Sequence, residues 1–218
     1  MKHLLIIGAR GWGRAVCDLA SEMPQYHKEF DIKGFLDDKA DALKGYDNYP
    51  PIVGAVESYE IQPDDVFICA LGDVHYKKHY SELILNRGGQ FISIVHPSAH
   101  IGHNVQIGRG CIVAGNVWLD SDSKLGDFVT LQTGALIGHD CLIDSWSIID
   151  SACFLGGFVH IKESVTVHPH SCIIPHKTVH SNAIVNIASV VIRDVKENSI
   201  VMGNPAREMI VPKINKNK

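Results

Sequence analysis

The chain has 218 residues, 45% of them hydrophobic and 20% charged, and 24 acidic against 20 basic side chains give a formal net charge of −4. That length accommodates one or two domains, and the slightly acidic balance removes the electrostatic case for nucleic-acid binding. The first apolar run, His3 to Gly8, is far too short to span a membrane and lacks a cleavage pattern, so neither membrane insertion nor export is expected.

In chain order, Leu4–Gly8 reads as a buried strand, followed by the turn Gly8-Ala9-Arg10-Gly11-Trp12-Gly13 and a helical stretch to about Glu22. Apolar runs at Ile32–Leu36, Val66–Leu71 and Phe91–Val95 alternate with helix-like segments, notably Tyr76–Arg87. This order predicts a small α/β, Rossmann-like domain with a parallel sheet over residues 1–95. Such sheets bind ligands beyond the carboxyl ends of their strands, and here those ends carry Gly8–Gly13, Asp37–Asp38 and Gly72–Asp73. The glycines follow G-x-x-G-x-G rather than the dinucleotide G-x-G-x-x-G, with Arg10 in place of the middle glycine. A nicotinamide cofactor is therefore disfavoured, while a phosphate at the helix N-terminus fits, as does a purely structural turn. Asp37–Asp38 suit a ribose or a solvated loop. Lys77 suits a phosphate or an ordinary exposed helix position.

From Ile101 to Val191 every sixth residue is Ile, Leu or Val, without a miss. A sustained hexapeptide period predicts a parallel β-helix over residues 96–194, three faces to a coil, with residue i beneath residue i+18. The position two residues before each aliphatic is small or slender (Cys111, Val129, Ala135, Cys141, Ser147, Cys153), with Lys177 the exception. The position just after is often Gly, Asp or Asn (Gly102, Gly108, Gly126, Gly138, Asp150, Gly156), which is expected to supply the corner conformations. Residues 195–218 read as a closing strand and a tail. The open edges and aliphatic walls of a solenoid are covered by a closed threefold assembly, so a homotrimer is expected.

Six cysteines without a C-x-x-C motif read as buried thiols, which suits a reducing, cytoplasmic location. Stacking by eighteen separates the histidines: His168, His170, His176 and His180 fall on different faces or edges, so no metal site is expected. Asp150 beneath His168 reads as a structural hydrogen bond. His139–Asp140 stands at a corner with Gly157 directly above it, where backbone can approach closely. A histidine beside a carboxylate is the pairing of general-base catalysis, and an exposed corner histidine is the plainer alternative.

The segments Leu5–Gly13, Gly34–Asp38, Ala70–Asp73, His96–Ala99, Thr133–Cys141 and Gly203–Arg207 resemble those of sugar O-acyltransferases of the NeuD and PglD type, the family of sialic acid O-acetyltransferases and nucleotide-aminosugar N-acetyltransferases. The resemblance implies a nucleotide-binding α/β domain joined to a left-handed β-helix, a trimer, and acetyl-CoA as acyl donor. By it His139 is the general base and Asp140 its orienting carboxylate. Gly8, Arg10, Gly11, Trp12, Gly13, Asp37, Asp38, Gly72, Asp73 and Lys77 line the nucleotide-sugar site, and Ile148, Gly157, Gly203, Asn204 and Pro205 lie near acetyl-CoA between subunits. The chain departs from the family in three places: Gly11-Trp12-Gly13 replaces Gly-His-Gly, Ile148 replaces a histidine near the thioester, and His168-Pro169-His170 with Asn186-Ile187-Ala188 replaces glycine-rich corners where the family's backbone meets CoA. The leading expectation is acetylation of the amine of a nucleotide-linked sugar, a 4-amino-4,6-dideoxy sugar, in surface-glycan biosynthesis. Two alternatives stand beside it: O-acetylation of sialic acid or a polysaccharide hydroxyl, and a non-catalytic trimer that binds a nucleotide-sugar or scaffolds a pathway.

Overall fold

The computed structural model describes residues 1–209. The N-terminal unit is a five-stranded parallel sheet built from β1 (Lys2–Ile7), β2 (Phe30–Leu36), β3 (Ile52–Gly54), β4 (Asp65–Cys69) and β5 (Gln90–Phe91), in the order β3-β2-β1-β4-β5. Helix α1 (Gly11–Ser21) buries Val16, Cys17 and Ala20, and α2 (Val74–Asn86) buries Val74, Lys77, Ser81 and Ile84. Leu4 to Ile7 are almost completely buried, as expected for a central strand covered on both faces. Strand order reverses at β1, so the crevice between the β1 and β4 ends is where a ligand of this sheet belongs.

The apolar run Phe91–Val95, which reads as one strand, is split between two sheets. Gln90–Phe91 closes the α/β sheet, while Ile94–Val95 pairs with Ile112–Val113 and starts the solenoid. The solenoid then repeats three faces. Face 1 stacks Ile94–Val95, Ile112–Val113, Thr130–Leu131, Ile148–Ile149, Thr166–Val167 and Ile184–Val185. Face 2 stacks His100–Ile101, Trp118–Leu119, Leu136–Ile137, Phe154–Leu155, Cys172–Ile173 and Val190–Val191. Face 3 stacks Gln106–Ile107, Lys124–Leu125, Leu142–Ile143, His160–Ile161 and Thr178–Val179. This is the architecture of a left-handed parallel β-helix, with residue i beneath residue i+18. The second residue of each strand points inward and joins one continuous aliphatic core. Each such side chain contributes roughly 1.5–3 kcal/mol on burial.

The corner chemistry differs from the sequence expectation. The left-handed residues sit three positions after the aliphatic, not one: Asn104, Asn116, Asp122, Phe128, Asp140, Trp146, Ala152, Phe158 and their successors carry φ between 53° and 70°. The glycines one position after the aliphatic are required for space instead. A Cβ on Gly138 would lie 2.8 Å from the Gly157 nitrogen, and one on Gly126 would lie 2.7 Å from the Ser145 nitrogen. The last coil is also shorter than the others, since Thr178 N–H bonds to Asp194 and Asn182 to Asn198, sixteen residues on. Val195 and Val201 thereby take the buried column positions in place of Glu197. The closing strand Ile200–Met202 pairs with face 1 and with Arg207–Glu208. The tail beyond residue 209 lies outside the described residues.

The first residue of each strand points outward, and the three faces differ in chemistry. Face 1 presents Ile94, Ile112, Thr130 and Ile148, all buried under the α/β domain. Face 3 presents Gln106, Lys124, Leu142, His160 and Thr178. Face 2 exposes an apolar stripe, with Trp118 47%, Leu136 46% and Phe154 44% accessible. The α/β domain is fixed to face 1 by Phe128, which meets Phe91 edge-on (4.9 Å) and stacks on Trp146 (4.2 Å, ring planes 2° apart), by the ion pair Lys78–Glu163 (2.8 Å) and by the hydrogen bond between His96 and Glu22 (2.6 Å).

Candidate active site

The crevice at the β1 and β4 ends is a pocket of about 450 Å³ lined by Gly8, Arg10, Trp12, Gly13, Asp37, Asp38, Gly72 and Asp73, together with Ala70, Leu71, Tyr76 and Tyr80. Sequence reasoning thus brought eight of its residues together. The glycines have separate tasks. Gly8 is left-handed (φ 95°), and a Cβ on Gly13 would fall on the Gly8 carbonyl oxygen, so both shape the turn. A Cβ on Gly11 would meet nothing within 4 Å, so this glycine faces open space at the start of α1. No side chain caps that helix end, which leaves its first N–H groups available to an anion.

The three acidic residues divide similarly. Asp37 is 9% exposed, and its two oxygens accept from Ala9 N–H (2.8 Å) and Lys39 N–H (3.0 Å). It ties the glycine turn to the β2 end, which leaves Asp38 as the exposed carboxylate of the pair. Asp73 caps α2, one oxygen accepting from His75 N–H (2.9 Å) and Tyr76 N–H (3.1 Å). Tyr76 and Tyr80, stacked at 6.5 Å on the pocket side of α2, were missed from sequence; their i, i+4 spacing just after Gly72–Asp73 was the available signal.

Lys77 is a correction. Neither at the pocket nor exposed, it is fully buried between the domains, where its ammonium donates to Thr130 Oγ1 at 2.7 Å. Burial pulls it down to about 8. Ile148 is a second correction. It is 2% exposed on face 1, packed with Phe128 and Trp146 beneath the α/β domain, and has no surface to offer acetyl-CoA.

His139 stands at the corner between faces 2 and 3. Its Nδ1 lies 2.8 Å from Asp140 Oδ2, so the carboxylate accepts the Nδ1 proton and Nε2 keeps a free lone pair. Asp140 is left-handed (φ 56°), which turns its side chain back towards its neighbour. Gly157 lies directly above: a Cβ there would be 2.7 Å from His139 Nε2 and 2.8 Å from Cε1. The bare glycine is what lets the imidazole lie against the next coil. Phe158, eighteen residues after Asp140, meets the imidazole edge-on at 5.1 Å and stacks on His176 at 4.8 Å. Stacking by eighteen placed Gly157 above His139, while Phe158 beside it carried no chemical signal in the sequence. Beside Asp140 an open groove of about 470 Å³ runs along face 3 past Gln106, Lys124, Leu142 and Phe158. Gly203, Asn204 and Pro205 form the exposed turn of the terminal hairpin, against Ser189 and Val190, away from this corner.

Among the described residues no group of three or more His, Cys, Asp and Glu is placed to hold a metal ion, and no helix is long and apolar enough to cross a membrane. All six cysteines are free, and burial pushes Cys17, Cys111, Cys141 and Cys153 up to about 11.

A nucleotide-type α/β pocket joined to a β-helix with a histidine–carboxylate pair on one corner defines a two-domain hexapeptide-repeat acyltransferase. Comparison with known proteins agrees. Residues 3–84 match the PglD N-terminal domain and residues 91–190 the GMPPB C-terminal domain. The acetyltransferase domain of PglB from Neisseria gonorrhoeae superposes with a TM-score of 0.87 at 27% identity, over 96% of this chain and all of that one, and is also solved in complex with acetyl coenzyme A. GDP-perosamine N-acetyltransferase of Escherichia coli O157:H7 is 27% identical over 66% of this chain and 67% of its own length. UDP-N-acetylbacillosamine N-acetyltransferase of Bacillus subtilis is 26% identical over 52% of this chain and 51% of its own. In both of its parts the chain is similar to PglD-type sugar acetyltransferases.

Proposed function

We propose that the protein transfers acetyl from acetyl-CoA to the amine of a nucleotide-linked amino sugar, with His139 as general base. The observation that carries this reading is the His139–Asp140 pair, its Nε2 free beneath Gly157, in a chain whose other domain keeps an open nucleotide-type pocket. The uncapped start of α1 receives the diphosphate, Asp38 the ribose, and Tyr76 a flat face of the base. His139 Nε2 takes the proton of the sugar amine as the nitrogen attacks the thioester carbonyl, and the imidazolium, supported by Asp140, returns it to the departing thiolate. Acetyl-CoA lies along the Gly156–Gly157 ledge and the face 3 groove.

Within one chain the two halves do not meet, because the pocket sits over face 1 and His139 on the opposite corner. Three copies that turn face 2 towards a common axis bury the Trp118–Leu136–Phe154 stripe. They also set the His139 corner of each copy beside the face 1–face 2 corner of the next. The active form is therefore a homotrimer with sites shared between subunits, and the six free thiols suit a cytoplasmic location. Release of free CoA thiol with UDP- and GDP-linked 4-amino-4,6-dideoxy sugars tests the reading. His139→Ala lowers turnover roughly 10²–10⁴-fold, and wild-type turnover in that variant would refute the base. Thiol release with free sialic acid but with no nucleotide-sugar would favour O-acetylation. Acetyl-CoA that fails to bind in calorimetry would leave a non-catalytic trimer.

A further inference from the structure

Next to the nucleotide pocket, and sharing Gly72 and Asp73 with it, a second cleft of about 180 Å³ opens between the start of α2 and the solenoid. Its solenoid wall is mostly polar, with Ser164, Thr166, His168 and Asn182 beside Ile184. Nothing in the reaction described above uses these residues. His168 stands at the corner between faces 1 and 2, directly above Asp150, which stands above Gln132. Its Nδ1 lies 3.0 Å from Asp150 Oδ2, the other oxygen of Asp150 accepts from Gln132 Nε2 at 2.7 Å, and Ser151 Oγ donates to Gln132 Oε1 at 3.1 Å.

This column holds one imidazole by a carboxylate that is itself held. Such outer-shell support fixes both the ring orientation and the tautomer. With the proton on Nδ1, Nε2 is an acceptor on a side chain that remains 39% exposed, while its Asp150 partner is only 14% exposed. A histidine serving only the solenoid would need no second partner on its carboxylate. The cleft is less than half the size of the nucleotide pocket beside it, about 180 against about 450 Å³. It lies on the solenoid side of the pocket, on the face 1–face 2 corner column, two coils beyond the level of His139.

We propose that this cleft is the sugar subsite, and that His168 is a specificity-determining residue that accepts a hydrogen bond from a ring hydroxyl of the nucleotide-linked sugar. Asp150 and Gln132 are its positioning residues. The inference rests on the nucleotide-sugar reading of the pocket. A site that hydrogen-bonds a substrate hydroxyl discriminates sharply against an analogue lacking it, because the site's own group is then left unpaired.

Isothermal calorimetry on the full-length protein with UDP, GDP, UDP-glucose and GDP-mannose separates the two claims. In the wild type, a nucleotide-sugar binds more tightly than its nucleoside diphosphate. His168→Ala weakens the nucleotide-sugar about tenfold, as expected for one hydrogen bond, and leaves the nucleoside diphosphate unchanged. His168→Gln, which keeps an acceptor, retains most of the increment, and Asp150→Asn loses part of it. Failure of the wild type to bind any of the four would overturn the pocket reading itself. An increment that survives His168→Ala, or nucleotide and nucleotide-sugar affinities that fall together, would overturn the subsite alone.

Discussion

At the scale of single residues, the site depends on what surrounds the imidazole as much as on the imidazole. Gly157 is essential for its missing side chain: Gly157→Ala places a methyl within 3 Å of two His139 ring atoms, Nε2 and Cε1, and pushes the ring off the ledge. We expect turnover to fall about 10²-fold, much of the worth of the base, while the far-ultraviolet circular dichroism and Tm stay near wild type. Unchanged turnover would show that His139 does not act from this position. Phe158→Ala removes the edge contact that steadies the ring and part of the groove wall, and should lower kcat by a smaller factor while raising KM for acetyl-CoA. The His139–Asp140 pair was legible because histidine and carboxylate are adjacent in sequence. Phe158 and Tyr76 were not, since an aromatic residue on a corner or helix gives no chemical signal until its neighbours are placed.

At the scale of elements, the hexad period made nearly the whole solenoid readable. The period is a direct consequence of inward-pointing side chains that only stacked coils can bury. What it could not show was which residue of each corner carries the strained backbone. Glycine after the aliphatic suggested a left-handed turn there, yet the structure uses those glycines for contact between coils and leaves Asp140, Trp146 or Phe158 left-handed. The docking of α2 on face 1 was equally hidden, and it turned two expected ligand contacts, Lys77 and Ile148, into parts of the domain interface. Burial depresses Lys77 to about 8 from an unfolded value near 10.5, so the unfolded chain holds the extra proton between those values. Stability therefore rises as pH climbs from about 8 towards 10.5, and below 8 the full cost of the buried charge, on the order of 3 kcal/mol, is present. Lys77→Met with Thr130→Val removes the ammonium and its hydroxyl partner together. Urea melts should show this double variant at least as stable as wild type at pH 7, with a smaller advantage at pH 9.5. A difference that stays constant across that range would mean that Lys77 is not held as described.

At the scale of the whole molecule, the three solenoid faces are a division of labour: one holds the α/β domain, one is polar and grooved, and one presents an apolar stripe. That stripe is the part of the fold that a single chain leaves unexplained. Leu136→Glu with Phe154→Glu places two charges on it without touching the buried aliphatic column. Sedimentation equilibrium should give the wild type about three times the 24.0 kDa chain mass and the variant a single chain. A wild-type protein of one chain mass at micromolar concentration would remove the shared site from the account.

The shared site itself is open to a direct measurement of subunit complementation. Gly11→Asp sets a carboxylate at the helix start where the diphosphate would lie, and its Cβ has no neighbour within 4 Å, so it disables the pocket while the turn keeps its shape. His139→Ala disables the base. Each variant alone should be nearly inactive. When the two are mixed in equal amounts, exchanged and reassembled, random assortment joins an intact pocket to an intact His139 at about one site in four. The account predicts that thiol release recovers to about a quarter of the wild-type rate. A mixture no more active than its components would contradict it.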